Sequence, residues 1–324
     1  MYAPNPGISL CVVAFRNESQ LENLLKNILF QDKIPLNFEV IIVDNGDDDK
    51  TRQLVSEFNK QQLAFNCFYF KNVSNNLGTA RQKAAEKSRF NQVLFLDPDC
   101  RISKDWLSQI VDFLAENKEL AGGIHFGSIA SIQKDSFFDV LFSLYSLSGL
   151  SVQVGYSPEI KVVNHIPAMN SLYDKKALFE SGGFSSDFPL VGEDLFVSYL
   201  FRKKGIKMLY APVAPVIHEP PPQLIGWIKK VFKYGYGQKL SFKKDTRSIR
   251  FMAFMPVLLF MVFILLLGLH TSLAFFLLLS YFGFVFAEVS FTKSTRHLNL
   301  KTKRDLLIWV LATHQAYVLG ELFG

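Results

Sequence analysis

The sequence predicts an α/β domain built on a mostly parallel sheet flanked by helices, followed by a C-terminal transmembrane helical hairpin. Three observations predict it. Short runs of β-branched and aromatic residues alternate with amphipathic segments over residues 8–97, the spacing of parallel strands joined by helical crossovers. Residues 251–269 and 272–287 contain no charged side chain, and each stretch approaches the roughly 17–25 residues a helix needs to cross hydrocarbon. Basic residues crowd both flanks of that apolar pair. At 324 residues the chain has room for one large domain and a smaller one, or for two domains.

The run ISLCVVAF (8–15) reads as the first strand, closed by the polar turn RNES. Leu21, Leu24, Leu25, Ile28 and Leu29 recur at helical spacing over 19–31, with Ser19 as the N-cap. FEVIIVDNG (38–46) is the second strand and ends in an acid, Asp44; a helix follows over 49–62. FNCFYFKN (65–72) is the third strand, GTARQKAAEKS (78–88) a helix, and QVLFLD (92–97) the fourth strand. In parallel sheets ligands gather beyond the carboxyl ends of the strands, where Phe15, Asp44 and Asp97 all stand. After residue 100 the alternation weakens. Residues 104–120 form a helix, 121–190 are less regular, GEDLFVSYLFRKKG (192–205) is a helix opened by two acids, and 206–222 is extended.

Hydrophobic residues make up 49% of the chain, with 32 Phe, and the excess is concentrated in the C-terminal stretches. Those stretches lack the polar face of a soluble core helix, which favours two membrane spans joined tightly at 268–272. Residues 228–250 carry eight Lys or Arg against one acid, and 293–304 carry five against none. The net charge of +6 therefore sits in the tail. Basic clusters at both ends of the hairpin place both ends in the cytoplasm and attract anionic lipid headgroups. Because they abut apolar spans, the clusters point to membrane and not to nucleic acid. Trp227, Tyr234 and Tyr236 beside the basic run suit a membrane interface. Residues 305–324 are apolar enough to span or to lie in the interface. The start, MYAPNPGISL, lacks the pattern of a signal peptide. Cys11, Cys67 and Cys100 are widely spaced, which argues against a disulfide framework or zinc site and for reduced thiols, two of them in strands.

Asp97 and Asp99 follow an apolar strand, with Pro98 between them. Two carboxylates there can hold a hard divalent cation, Mg2+ or Mn2+, whose other ligands are waters and phosphate oxygens. Asp and Pro are also ordinary turn residues.

Read in order, CVVAFRNE, FEVIIVDNG, NNLGTARQKA, VLFLDPD, AMNSLYDKKALFESGGF, GEDLFVSYLFRKKG and APVIHE resemble the family 2 glycosyltransferases over about residues 8–240. The resemblance implies a GT-A fold, a Rossmann-like nucleotide-sugar-binding domain, and inverting sugar transfer. Asp97 and Asp99 then correspond to the DxD carboxylates around a Mn2+ or Mg2+ ion on the donor's diphosphate. Asp99 is the direct ligand, and Asp97 touches the metal, its water or the ribose. His218 matches a further metal ligand, or is a half-buried histidine bonded to backbone. Asp44 matches the acid that accepts a hydrogen bond from the nucleobase, and Ala14, Phe15 and Glu18 match the loop around base and ribose. Asn76, Gly78 and Arg81 match the turn beside the nucleotide, with Gly78 allowing close backbone approach and Arg81 offering a fork for phosphate. Asp194 matches the base that takes the acceptor's proton. Asn170, Asp187 and Glu193 fall in the region that handles sugar and acceptor, where the helix dipole also stabilises Glu193. Processive synthases of this family carry Gln-x-x-Arg-Trp near their first membrane helices; QKLSF (238–242) does not match it, which favours transfer of a single sugar.

The expected organisation is a GT-A catalytic domain over 1–225, a basic amphipathic membrane-surface connector over 226–250, two transmembrane helices over 251–289, and a basic loop with a third apolar helix over 290–324. This describes a multi-pass protein of the cell membrane whose catalytic domain is cytoplasmic. The expected donor is a UDP-sugar, since Asp44 suits an imide N–H, and the expected acceptor is a hydroxyl of a lipid-linked glycan. Two alternatives stand beside it. A sugar nucleotidyltransferase needs a Gly-rich basic loop that AFRNES lacks. A non-catalytic membrane scaffold is disfavoured by the intact set of Asp97, Asp99 and Asp194.

Overall fold

The computed structural model describes residues 7–35, 37–46, 49–61, 64–117, 122–129, 137–144, 159–248 and 251–324. The chain runs β1 (Ile8–Ala14), α1 (Glu18–Leu29), β2 (Phe38–Asp44), α2 (Lys50–Phe58), β3 (Asn66–Lys71), α3 (Leu77–Lys87), β4 (Gln92–Phe95), α4 (Trp106–Glu116), β5 (Gly123–His125), β6 (Ser128–Ile129) and α5 (Phe137–Ser143). It continues through β7 (Lys161–Val162), β8 (Ser171–Asp174), α6 (Lys175–Ser181), α7 (Glu193–Lys203), β9 (Met208–Tyr210), β10 (Val216–Ile217), α8 (Leu224–Lys244), α9 (Phe251–Leu269), α10 (Thr271–Phe291) and α11 (Leu300–Phe323). Two compact units result: residues 1–129 with 153–218, and residues 130–152 with 219–324.

The first unit is organised by an eight-stranded sheet of order β3-β2-β1-β4-β8-β5-β9-β7. The first four strands are parallel, β8 enters antiparallel between β4 and β5, and β7 runs antiparallel along β9. The strands β1 and β2 read as largely apolar runs because both their faces are covered, interrupted by Ser9 and Glu39, whose side chains hydrogen-bond to each other at 2.6 Å. Leu10, Val12, Val40 and Ile42 face Leu21, Leu24, Leu25 and Ile28 of α1 and Trp106 of α4, while Cys11, Ile41 and Val43 face Ala80 and Ala84 of α3. Each fully buried Leu or Ile contributes roughly 1.5–3 kcal/mol. All three cysteines are buried and free, two of them in strands. The cap of α1 is Asn17, two residues before the expected Ser19. The Asn17 side chain accepts the Phe15 N–H at 3.0 Å, which closes the turn after β1 and starts the helix early.

In the second unit α8 packs along α11, and the indole N–H of Trp227 donates to Thr313 Oγ1 at 2.7 Å. Trp227 is thus internal and not an interface anchor; it sits among Phe138, Phe142 and Trp309. The same aromatic packing draws α5 into this unit, and Trp227 and Val231 of α8 are buried in its core. The helices α9 and α10 meet at His270, the expected hairpin. Both α10 and α11 are long and apolar enough to cross a membrane. Leu265, Phe276, Leu279 and Phe286 are exposed on the outer faces of α9 and α10. Such contiguous apolar faces mark membrane association.

Candidate active site

The parallel strands deliver their carboxyl ends to one edge. Asp44, the last residue of β2, lies opposite Ala14, the last of β1, and β4 runs beside β1. Beyond β4 the chain turns, with the Cys100 N–H donating to the Asp97 carbonyl at 3.1 Å. Arg101 then forms an antiparallel bridge with Ile217, two hydrogen bonds of 2.9 Å, which brings the next residue, His218, beside Asp99. His218 Nε2 lies 3.3 Å from Asp99 Oδ2. Ligand atoms of Asp97, Asp99 and His218 all fall within 4.8 Å of one another. Two partly exposed carboxylates and an imidazole fit a hard divalent cation. The nitrogen suits a transition ion such as Mn2+ better than it suits Mg2+.

Behind this cluster stands Arg81, buried on α3. One arm of its guanidinium donates to Asp97 Oδ1 at 3.1 Å, and the other donates to Glu193 Oε1 at the start of α7. Gly192 precedes that helix in the left-handed region, φ 94°, which turns the chain into it. Next to Glu193 is Asp194, half-buried, accepting the Ala168 N–H at 3.1 Å and the Leu195 N–H at 2.7 Å. Burial lifts Glu193 to about 7; Arg81 pulls the other way, and Asp194 and Asp97 add to the rise. Burial by itself lowers the Arg81 pKa, but the carboxylates of Glu193, Asp97 and Asp194 outweigh it and the net shift is upward. Tyr173 of β8 is fully buried, and its hydroxyl has no hydrogen-bond partner among the described residues. Burial, followed by the charge of Asp194, raises it well above the usual phenol range. Sequence reasoning missed Tyr173, since a four-residue strand leaves almost no periodic signal.

The carboxyl ends of β1 and β2 carry further expected site residues. Asp44 is 1% exposed, and its carboxylate accepts from the Gly46 N–H at 2.8 Å and from Tyr69 Oη and Lys71 Nζ at 2.9 Å each. Lys71 is the register partner of Asp44 on β3, a pairing visible only once the strands are aligned. Phe15 is exposed, with the Arg16 guanidinium 5.5 Å above its ring. Ala14 is buried, its carbonyl accepting the Asn45 N–H at 2.8 Å, and Glu18 opens α1 half-buried.

Asn76 and Gly78 were expected beside the nucleotide, yet they serve the protein's own backbone. Asn76 caps α3 by accepting the Thr79 N–H at 3.0 Å and donates to the Ser186 carbonyl at 2.8 Å. The Leu77 and Gly78 N–H groups donate to the carbonyls of Pro189 and Phe188 at 2.9 and 3.0 Å. The first N–H groups of α3 are therefore spent on the loop that leads to α7, leaving little for an anion. A Cβ at Gly78 would lie 1.9 Å from the Ser185 carbonyl oxygen, so the close approach is real, but its object is this loop. Asp187 in the loop is exposed and accepts the Ser185 hydroxyl at 2.8 Å. Asn170, expected in the region that handles sugar and acceptor, lies inside the fold. It is wholly buried, donates to the Gly127 and Ala214 carbonyls at 2.8 and 3.0 Å, and accepts the Trp106 indole N–H at 3.1 Å. Its amide is bonded to the scaffold through all three of these contacts.

Residues 9–177 match the family model described as "Glycosyl transferase family 2". The poly-beta-1,6-N-acetyl-D-glucosamine synthase of Staphylococcus aureus is 22% identical over 236 residues, 71% of this chain and 54% of that protein. The chain thus spans about half the length of the curated relatives it matches. Among solved structures, mannosyltransferase PcManGT from Pyrobaculum calidifontis in complex with GDP-Man and Mn2+ superposes with a TM-score of 0.62 at 16% identity, covering 98% of this chain and 87% of that one. A TarS fragment from S. aureus in complex with UDP gives 0.51 at 15% identity, covering 97% and 90%. At these identities the structural likeness speaks for the fold.

Proposed function

The chain belongs to glycosyl transferase family 2, and from that premise we propose that it moves one sugar from a UDP-sugar to a hydroxyl of a lipid-linked glycan at the cytoplasmic face of the cell membrane, with inversion at the anomeric carbon. The observation that most supports this reading is the Arg81 bridge. Arg81 joins Asp97, two residues from Asp99, to Glu193, the neighbour of Asp194, so the cation-binding and base-bearing elements share one cluster.

In this reading Asp99 and His218 hold a Mn2+ or Mg2+ ion with Asp97 in support; when bound, the ion supplies positive charge against the donor's diphosphate. Asp194 accepts the proton of the acceptor hydroxyl as that oxygen forms its bond to the anomeric carbon. The bond from that carbon to the nucleoside diphosphate oxygen breaks on the opposite face. Glu193 is buried against Arg81, which leaves Asp194 as the carboxylate for the base role. Phe15, Glu18 and Asp44 border the base and ribose, and Asp187 borders the donor sugar. A membrane-associated second unit keeps the enzyme in the same membrane as a lipid-linked acceptor and beside anionic headgroups. The relationship to a polymer synthase favours a second reading, repeated addition, against which the missing Gln-x-x-Arg-Trp motif argues.

The test is turnover of UDP-, GDP- and dTDP-sugars by the full chain, with and without Mn2+, and product length by mass spectrometry. UDP-sugar turnover should require metal, and Asp194→Asn should lower it by about 10²–10⁴. Activity that survives chelation or the Asp194 substitution refutes the mechanism; turnover of GDP-sugars alone refutes only the donor base.

A further inference from the structure

The geometry points to Arg81 and Glu193 as a buried pair of positioning residues that hold Asp97 and Asp194 in one rigid constellation, and not as contacts of the donor's phosphates. The inference rests on the reading above, in which Asp97 serves the metal and Asp194 the acceptor. A guanidinium is a fixed planar fork, suited to meeting two carboxylates at once. Here its two arms meet carboxylates from two different elements, the turn after β4 and the first turn of α7. The Arg81 side chain is 8% exposed and that of Glu193 is 2% exposed. Both terminal nitrogens of Arg81 already meet carboxylates, so a phosphate oxygen approaching them would compete with carboxylates in place.

The packing of α3 strengthens the point. Besides the ion pair, the Asn76 side chain and the Leu77 and Gly78 N–H groups bond to Ser186, Pro189 and Phe188, and Gln82 Oε1 accepts the Phe184 N–H at 2.9 Å. One helix is thereby fastened to the whole segment 184–193 that delivers Asp194. Replacing a buried ion pair with apolar side chains is often neutral or stabilising, so stability alone gives weak reason for this one. Registry gives a better reason: residues 112 positions apart in sequence are fixed to within a hydrogen bond beside the reacting groups. The cluster is also polar beyond its own needs, since Glu193 Oε2 and Tyr173 Oη are buried without a partner among the described residues. A group whose purpose was packing would not carry such atoms.

The test compares Arg81→Lys and Glu193→Gln with wild type in the full chain, by steady-state kinetics, calorimetric UDP–Mn2+ binding and Mn2+ titration of activity. Lysine keeps the charge but cannot bridge two carboxylates. Arg81→Lys should lower kcat about 10²-fold while donor KM and UDP–Mn2+ affinity stay within about threefold, the pattern of misplaced rather than missing contacts. In Glu193→Gln the Arg81 charge leans on Asp97 alone. The Mn2+ concentration for half-maximal activity should therefore rise about fivefold or more, a shift that mere loss of packing does not produce. Arg81→Lys weakening UDP–Mn2+ binding tenfold or more at unchanged kcat makes Arg81 a phosphate ligand and overturns the inference. Should the lysine variant fail to fold, Glu193→Gln decides, and unchanged kcat with unchanged Mn2+ requirement overturns it. Failure of the parent reading is distinct, for it shows as a wild type without metal-dependent turnover.

Discussion

Replacing Gly78 with alanine puts a methyl carbon 1.9 Å from the Ser185 carbonyl oxygen and 2.9 Å from its carbon. Both are backbone atoms, so no side-chain rotation relieves the overlap; α3 and the 185–189 loop must part by about 1 Å or more to restore van der Waals contact. The movement stretches two backbone hydrogen bonds, Gly78 to Phe188 and Leu77 to Pro189. Each contributes about 0.5–1.5 kcal/mol net, and overpacking costs about 1–3 kcal/mol. Alanine returns about 1 kcal/mol of helix propensity. The expected loss is about 3 kcal/mol, or roughly 6–12 °C in the Tm of a domain this size. Thermal unfolding of the purified full chain measures it, with Trp106 reporting from the core of the first unit. Transfer activity should fall as well, because the displaced loop leads into α7. An alanine variant with unchanged or raised Tm would mean that helix propensity acts alone, and the fastening of α3 to that loop would be refuted.

The raised Glu193 pKa has a pH signature. Between an ordinary 4.5 and about 7 the folded protein holds a proton that the unfolded chain has released, so the associated stability is complete below the lower value and lost as pH rises through the upper. From about pH 5 to pH 8 wild type should therefore lose Tm relative to Glu193→Gln; parallel profiles contradict the burial argument. Tyr173→Phe removes a buried hydroxyl that has no partner among the described residues, so Tm should hold within about 2 °C or rise; a fall above about 5 °C shows that the hydroxyl is bonded.

The parallel half of the sheet was legible in the sequence because each of β1 to β3 is a run of six or seven residues, long enough to show its burial pattern. The acids at the ends of β2 and β4 were legible for the same reason, as carboxylates interrupting apolar runs. What stayed hidden depends on distant partners. Arg81 reads as an exposed fork on a helix until α7 brings Glu193 to it. Asn170 reads as a polar loop residue until Trp106, Gly127 and Ala214 close around it. Asp44 reads as an open carboxylate until β3 aligns Lys71 and Tyr69 beside it. Trp227 and α5 joined the second unit through aromatic packing that no local period encodes. Side-chain types and strand ends thus survive in the sequence, whereas occupancy of a polar group by another part of the chain does not.

In the proposed mechanism Asp99 and His218 would hold the cation that meets the donor's diphosphate. Electron paramagnetic resonance of Mn2+ titrated into the full chain with UDP tests it without relying on turnover. Uptake of about one Mn2+ per chain is expected, weakened about tenfold or more by Asp99→Asn and by His218→Ala. Binding by both variants as tight as wild type, or no uptake by wild type in the presence of UDP, contradicts it.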